Sequence, residues 1–262
     1  MKSALRLVLL ALASGCWESG TEAPPLPAIV SPLEDAGGRF RPDAEPADLV
    51  VTRPLPTLAA YAEVPLSGAS QTIDLVDALG REPTPGATLV MVVVNREAPR
   101  PRSIMLGARA FNVDTTLDSR PSFAASVWST TIAERSPSNV VVNWPRELQR
   151  GYLVAMEWLG LDRLHRAVSR RSQTEGEGPI RTGDYASTKP GTLLLAIAVA
   201  APLIGSGATT FTQIVRVNDS VAGLAVASTI ADGLTRYEET FVTWPGTTSW
   251  GTMLLAYDAL SR

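Results

Sequence analysis

The sequence has very few of the side chains that enzymes and metal sites use most often. Its 262 residues include one cysteine, Cys16, and one histidine, His165. A disulfide within the chain is excluded because it needs two cysteines, and a zinc site needs three or four histidine, cysteine or carboxylate ligands. A Ser-His-Asp triad would have to use His165, which lies in a polar segment with no nucleophile motif beside it. We therefore expect no catalytic residue, no metal site and no cofactor.

Motifs and charges that would bind phosphate are also missing. The sequence contains no Gly-x-x-x-x-Gly-Lys-Ser/Thr loop and no Gly-x-Gly-x-x-Gly turn, so nucleotide chemistry has no support. Lys and Arg number 23 against 26 Asp and Glu, a formal net charge of −3. Nucleic-acid binding needs clustered basic side chains, and nucleic acid is therefore not an expected partner.

The first sixteen residues follow the order of an export signal. A basic tip with Lys2 and Arg6 precedes an apolar run from Leu7 to Ala13, and small residues then lead to Cys16. The apolar run is too short to span a bilayer, which needs about 20 residues. The pattern predicts a signal peptide over residues 1–15.

Cys16 directly follows the small residues Ala13, Ser14 and Gly15, an arrangement that resembles the lipobox of bacterial lipoproteins. That family prefers leucine where Ala13 stands; its signal is cut before the cysteine, which then carries the lipid. The resemblance implies that Cys16 binds membrane lipid and anchors the protein in the bacterial envelope. Trp17 stands where an aspartate would retain a lipoprotein at the inner membrane, which implies the outer membrane. The alternative is an ordinary secretory signal that leaves a free Cys16.

Residues 16–56 have the composition of a linker. They are rich in Pro, Ala, Glu, Asp and Gly, as in Ala23-Pro24-Pro25-Leu26-Pro27, with weak apolar periodicity. Such a composition favours an extended, semi-stiff chain; a folded edge segment around residues 49–51 is the alternative. We expect this linker to join Cys16 to one domain over residues 57–262. The hydrophobic content of 45% is ample for a core in a domain of this size.

From about Leu58 onward, short apolar runs alternate with turn-rich stretches. The runs are bounded by Gly, Pro, Asn or Ser, a pattern typical of the strands of a sandwich or barrel. The run from Leu193 to Ile204 is too short to span a membrane and is interrupted by Pro202, so we expect a fully buried strand. One short helix is predicted over Leu161–Val168, with Asp162 as its N-cap. The predicted strands include Leu89–Val94, Val140–Trp144, Tyr152–Leu159, Thr192–Ala201, Gln213–Val217, Gly223–Thr229, Thr240–Trp244 and Thr252–Tyr257.

Segments of the first half recur about one hundred positions later. Two matching halves at this period indicate two related β-units that bury a shared core. We therefore predict an all-β fold, one antiparallel β-sandwich built from two internally related halves. The recurring pairs are Pro85–Val90 with Pro190–Leu194, Val127–Ile132 with Val226–Ile230, Val141–Pro145 with Phe241–Pro245, and Gly151–Ala155 with Gly251–Ala256.

Two of these strands carry a further resemblance. Gly191–Ala198 has the pattern Gly-Thr-Leu-Leu-Leu-Ala-Ile-Ala, and Trp250–Tyr257 has Trp-Gly-Thr-Met-Leu-Leu-Ala-Tyr. Both resemble strands of β-sandwich modules in bacterial and phage-associated proteins, and the resemblance covers roughly Thr57 to Leu260. It implies a jelly-roll-like sandwich of the kind appended to surface proteins, usually without assigned chemistry.

Carboxylates are the remaining candidates for catalysis or metal binding. A glycosidase needs two acids about 5 to 10 Å apart, but nothing in the spacing pairs Glu157 with Asp258. We expect each to lie where its strand reaches the rim of the sandwich, and a carboxylate-based hydrolase is the most remote alternative. Calcium takes loop oxygens as ligands, but no Asp-x-Asp-x-Asp loop occurs. The aspartates expected in loops are Asp114, Asp118, Asp184 and Asp219.

Aromatic residues are scarce, at 6%, yet they are the best candidates for contacting a ligand. Trp144 and Trp244 each precede a proline, which holds them extended, and we expect both to pack in the core or at its rim. Trp158, Trp250 and Tyr237 are the candidate ligand-binding residues. Tyr237 lies in a polar turn, where we expect it to be exposed.

These observations favour a binding or adhesion module, anchored by lipid to the bacterial cell envelope, over an enzyme. Its ligand would be a glycan or a protein. A structural component of an envelope assembly is the alternative. An exposed row of aromatic side chains on one sheet would favour a glycan, whereas a large apolar surface patch would favour assembly.

Overall fold

The predicted signal peptide, Cys16 and most of the predicted linker lie outside the residues that the structure describes, as do Trp244 and Pro245. The part of the recurrence that contains Trp244 therefore stays a prediction. Val51–Arg262 forms one compact unit. The structure is a computed structural model, and it describes residues 54–96, 100–119, 122–134, 137–172, 179–185, 189–202, 204–208, 210–219, 221–233, 236–243 and 246–260.

The first sheet has seven antiparallel strands, all from the first half of the domain. They are β1 (Thr57–Asp74), β2 (Thr88–Asn95), β3 (Ser103–Leu106), β4 (Arg109–Ala110), β5 (Asn112–Ser119), β6 (Phe123–Thr131) and β7 (Asn139–Leu159). Their order is β4-β3-β7-β2-β6-β5, and β1 also pairs with β7. A short helix, α1 (Leu75–Leu79), follows β1, and its N-cap Asp74 accepts a hydrogen bond from the backbone N–H of Val76.

The second half forms two further antiparallel sheets. Its strands are β8 (Leu161–Ser172), β9 (Pro179–Arg181), β10 (Leu193–Ala201), β11 (Ile204–Ala208), β12 (Thr212–Asn218), β13 (Gly223–Ile230), β14 (Thr240–Thr243) and β15 (Ser249–Ala259). The five-stranded sheet has the order β12-β13-β10-β15-β8, and the three-stranded sheet has the order β11-β14-β9.

The first sheet curls because its longest strand changes partners along its length. β7 has 21 residues; its part from Val140 to Asn143 pairs with β3, and its part from Gly151 to Trp158 pairs with β2. β1 follows both parts of β7, and its register breaks around Gly68, whose φ is 81°. Glycine adopts this left-handed conformation without the steric cost of a Cβ. The sheet thereby forms a half-barrel.

Three apolar cores hold the sheets together. The first core lies between the first sheet and the five-stranded sheet, with Val92 of β2 and Ile197 of β10 among its side chains. The second core fills the curl of the first sheet and includes Met91. The third core lies between the five-stranded and three-stranded sheets and includes Phe241. Because successive side chains point to opposite faces of a sheet, β2 and β10 bury both faces, and every residue of both strands is buried.

The helix predicted over Leu161–Val168 is wrong, because this segment belongs to β8 and pairs with β15. The register of this pair skips His165, which lies between the paired residues Leu164 and Arg166. After such a bulge, the side chains of the following residues point to the opposite face of the sheet from the one that simple alternation predicts. Leu164 and Ala167 therefore both pack against the first core although they are three positions apart, a spacing that mimics a helix.

Five strands of the first sheet correspond in order to the five strands of the second large sheet. The order β1-β7-β2-β6-β5 of the first sheet is repeated as β8-β15-β10-β13-β12 in the five-stranded sheet. The prediction of an antiparallel all-β sandwich made of two related halves is confirmed. The registers extend the correspondence to single residues, equating Thr88 with Leu193, Thr131 with Ile230, and Trp158 with Tyr257.

The recurrence seen in the sequence is confirmed for two segments and wrong by one residue for a third. Gly151 pairs with Asn95 of β2, and Trp250 pairs with Ala200 of β10. Because Asn95 and Ala200 are equivalent, Gly151 corresponds to Trp250 and not to Gly251. A shift of one residue moves each side chain to the opposite face of the sheet. The confirmed pairs are Pro85–Val90 with Pro190–Leu194 and Val127–Ile132 with Val226–Ile230.

Truncating a side chain on either wall of the first core is expected to destabilise both halves together. Met156 of β7 and its counterpart Leu255 of β15 are fully buried in this core, and each change to alanine should cost about 2–5 kcal/mol of unfolding free energy. Urea unfolding of residues 51–262, followed by circular dichroism, should show one transition that moves to lower urea. Val242→Ala, at an exposed position, serves as the control and should change little. Two separate transitions in either core variant would contradict a shared core.

Candidate ligand-binding cleft

One lateral edge of the sandwich is closed by hydrogen bonds between the two large sheets. Asp114 of β5 accepts hydrogen bonds from Tyr257 Oη at 2.5 Å and from Ser129 Oγ at 2.9 Å. Further along, the guanidinium of Arg171 on β8 donates to the backbone carbonyl of Asp118 on β5 at 2.6 Å. Tyr257 and Arg171 belong to the five-stranded sheet, whereas their partners belong to the first sheet. We call this side, where β5 lies beside β8, the closed edge.

Burial governs the protonation of the Asp114–Tyr257 pair. It raises the pKa of the Asp114 carboxyl above its ordinary value, and the hydrogen bonds from Tyr257 and Ser129 lower that pKa by smaller amounts. The pKa of Tyr257 is raised well above its ordinary value by burial and by the charge of Asp114. Tyr257 therefore keeps its proton at neutral pH and donates a hydrogen bond to the Asp114 carboxylate. This bond satisfies an acid that would otherwise be costly to bury.

The opposite side of the sandwich has the equivalent positions without this link. Ile214 of β12 stands where Asp114 stands on β5, because both lie at the register shift of their strand. An isoleucine side chain accepts no hydrogen bond, so the two sheets cannot be joined here in the same way. We call this side, between β1 and β12, the open edge. The other equivalent positions are Trp158 for Tyr257 and Ser228 for Ser129.

A cleft of about 560 Å³ occupies the open edge. Its volume is within the usual range of ligand pockets, about 300–1,000 Å³. Tyr61 of β1 is 48% exposed at the cleft, whereas Trp158 of β7 is only 3% exposed. The described side chains that line the cleft include no charged group. Its aromatic and polar lining includes Tyr61, Trp158, Thr212, Gln213, Ser228 and Thr229.

Hydroxyl and amide groups form the wall of the cleft on β12 and β13. Thr212 and Gln213 are exposed, and Ser228 and Thr229 are half-buried. Within the described part of the chain, these four side chains make no hydrogen bond. The indole Nε1 of Trp158 is also buried without a hydrogen-bond partner among the described residues. The cleft therefore combines an aromatic surface with several donors and acceptors that are free to bind a ligand.

The three aromatic residues proposed from the sequence lie at two different places. Trp158 lines the cleft, whereas Trp250 and Tyr237 are half-buried against the third core. Tyr237 was expected to be exposed, but its hydroxyl forms hydrogen bonds with Asp232 that hold it in place. Sequence reasoning missed Tyr61, because β1 is largely exposed and lacks the strict alternation that separates a buried face from a solvent face. No single site brings Trp158, Trp250 and Tyr237 together.

Glu157 lies near the end of β7, but its side chain is fully buried and not exposed at a rim. Its carboxylate accepts a hydrogen bond from the backbone N–H of Thr84 at 2.6 Å and lies 3.8 Å from Arg81 Nη2. These contacts hold the turn that follows α1 against β7. Asp258 lies on β15 of the other large sheet, 3.8 Å from His165 Nδ1. The two acids therefore belong to different sheets and to separate polar networks.

A second buried carboxylate, Glu239, was not singled out from the sequence. It accepts hydrogen bonds from the backbone N–H groups of Thr210, Phe211 and Thr240. Backbone groups buried in a turn need such partners, and Glu239 supplies them where the chain passes from β11 to β12. Its position in the polar pair Glu238-Glu239 resembles a solvent-facing turn, so burial was not visible in the sequence.

The four aspartates expected in loops do not come together as a group of three or more carboxylates. Asp114 and Asp118 lie on β5, so the prediction of loops is wrong for both, while Asp184 and Asp219 each pair with an arginine. Among the described residues, no group of three or more His, Cys, Asp and Glu side chains is placed to hold a metal ion. The same residues contain no helix with the length and apolar character needed to cross a membrane.

The burial of Asp114 is expected to make stability depend on pH. Because its pKa is raised in the folded protein above the ordinary 3.8, the folded state binds this proton more tightly than the unfolded state does. Its stabilising contribution is complete below pH 3.8 and is lost as the pH rises through the raised pKa. The unfolding free energy of the wild type minus that of Asp114→Asn should therefore fall as the pH rises above 3.8. Urea unfolding at each pH measures it, and a difference that rises with pH would contradict the raised pKa.

Comparison with protein-family models, with curated proteins and with solved structures finds no match to this chain.

Proposed function

We propose that this protein is a lipid-anchored binding module of a bacterial envelope and that its ligand binds in the cleft at the open edge. The observation that carries the proposal is the difference between two equivalent edges of one sandwich. Asp114 and Tyr257 join the sheets at the closed edge. The equivalent residues, Ile214 and Trp158, instead line a cleft in which four polar side chains make no hydrogen bond with the described residues.

The difference between the two edges affects the stability of the domain. Polar groups left without partners in a partly enclosed site lower stability. A sandwich with only a structural role would gain by closing both edges with the same side chains. The open edge keeps an exposed Tyr61 and a buried, unpartnered Trp158 Nε1 instead. A ligand that fills the cleft would cover the exposed ring of Tyr61 and gain the free energy of removing this apolar surface from water.

The anchor is supported by the sequence. Cys16 follows an export signal at the position of the lipid-bearing cysteine of bacterial lipoproteins, and a Pro- and Ala-rich segment leads from it toward Thr57. An extended segment of this kind spans about 3.1 Å per residue. It would hold the sandwich tens of ångströms from the membrane surface, where the cleft can meet a ligand outside the lipid.

Replacing the anchoring cysteine tests the first part of the proposal. Cys16→Ser removes the thiol that would be acylated, so the variant should move from the washed membrane fraction to the soluble fraction of the host cells. Immunoblots of both fractions, with metabolic labelling by a fatty acid, provide the measurement. Membrane retention of Cys16→Ser after high-salt washing would contradict the anchor.

Blocking the cleft tests the second part. Thr212→Trp places a large ring at the mouth of the cleft, whereas Asn112→Trp places one at the equivalent, exposed position of the closed edge. Labelled residues 51–262 should bind to envelope fragments of the bacterium that encodes the protein. We expect Thr212→Trp to reduce this binding at least tenfold and Asn112→Trp to leave it unchanged.

Equal binding by the two tryptophan variants would show that the ligand binds elsewhere. Absence of binding by the folded wild-type domain would contradict a binding role. Circular dichroism of all three proteins checks that each one is folded.

A further inference from the structure

We infer that the ligand of the open-edge cleft is an uncharged carbohydrate, bound with one sugar ring against Tyr61 and with its hydroxyl groups toward β12 and β13. This inference rests on the proposed function of the cleft as a binding site. It concerns the chemical class of the ligand, which the cleft's charge, polarity and flanking strands restrict.

Charge is the first restriction. Among the residues that the structure describes, the side chains that line the cleft include no Asp, Glu, Lys, Arg or His. A charged ligand that enters a partly enclosed site loses hydration and needs an opposite charge or a dense set of hydrogen bonds to replace it. Phosphorylated, sulfated and carboxylated ligands therefore lack a counter-charge here. An uncharged ligand suffers no such penalty.

The mixture of aromatic and polar groups is the second restriction. A sugar ring has an apolar face of C–H groups and a rim of hydroxyls. Tyr61 presents a half-exposed aromatic surface, while Gln213 and Ser228 offer amide and hydroxyl groups from the opposite wall. Aromatic side chains with a polar end are suited to ligands that have apolar and polar faces of this kind.

The strands beside the cleft argue against a peptide ligand. A peptide would bind most simply by adding a strand to an exposed sheet edge. The register of β1 shifts between Leu58 and Ala60, and that of β12 shifts between Gln213 and Val215. Such irregularities disrupt the row of backbone donors and acceptors that an added strand needs. Pro65 further removes one N–H from β1. The free groups of the cleft are thus mainly side chains, as recognition of a sugar requires.

The mouth of the cleft indicates how much of the ligand is bound. Thr212 and Gln213 are exposed at this mouth, and Tyr61 faces it with about half of its surface in water. A longer chain can therefore enter with one segment and leave the rest in solvent. The cleft is suited to a repeating glycan and does not require a chain end.

Calorimetry with defined probes tests the inference. Residues 51–262 form one compact unit that contains all three cores, so this fragment is used. The neutral probes are cellohexaose, maltohexaose and chitohexaose, the anionic probes are oligogalacturonate and heparin fragments, and a peptide array covers protein ligands. We expect one of the neutral probes to bind. Its Kd should change less than about twofold between low and high salt, because no ion pair is formed.

Side-chain variants then locate the bound sugar. Tyr61→Ala should weaken binding about tenfold through loss of the aromatic contact, and Gln213→Ala about three- to tenfold through loss of a hydrogen bond. Val113→Ala is the matched control, because Val113 occupies the position of Gln213 on the closed edge, and it should bind as the wild type does. Equal affinities of Tyr61→Ala, Gln213→Ala and wild type for the neutral probe would overturn the inference.

The cleft-blocking Thr212→Trp variant separates this inference from the proposed function. The domain could bind only anionic probes or peptides and lose this binding in Thr212→Trp. That result would overturn the inference that the ligand is an uncharged carbohydrate, but it would support the cleft as a binding site. If Thr212→Trp bound every probe and the envelope fragments as well as the wild type does, both the inference and the proposed function would fail.

Discussion

The rest of the structure depends on the first core, where two related halves bury their equivalent side chains against each other. Val92 and Ile197 occupy matching positions on β2 and β10 in this core. Burying one such side chain contributes about 1.5–3 kcal/mol, so neither half is stable with this face in water. The halves therefore fold as one sandwich. The second and third cores then cover the outer faces of β2 and β10, which explains why both strands are buried throughout.

Face-to-face packing leaves two lateral edges, and the side chains decide whether each edge closes. A buried carboxylate is tolerated only where donors satisfy it, so Asp114 depends on Tyr257 and Ser129. At the equivalent place, Ile214 and Trp158 cannot make this connection, although the backbone repeats the same register shift. The candidate site is thus a difference between equivalent positions of a duplicated unit. Most of the residues that line it belong to strands of the two large sheets.

Much of the fold was predictable, and two of the errors have a common cause. Apolar runs rich in β-branched residues predicted strands, and the continuous run from Leu193 predicted a strand buried on both faces. The false helix arose from the bulge at His165, which places Leu164 and Ala167 on one face at helical spacing. The one-residue error around Gly151 is also an error of register. A bulge or an offset changes no composition and leaves almost no local signal, yet it reverses which side chains face the core.

By itself, the sequence determined the fold class, the duplication and the buried central strands, because these follow from local patterns of apolar and turn residues and from their recurrence. It also predicted the export signal and the lipid anchor, which lie outside the described residues. Only the tertiary structure decided which edge is open. It also decided that Trp158 lines the same cleft as Tyr61, while Trp250 and Tyr237 lie against the third core. It likewise paired Asp114 with Tyr257, 143 positions away. Such contacts depend on strand order, register and bulges, and these are set by how whole strands pack rather than by any single segment.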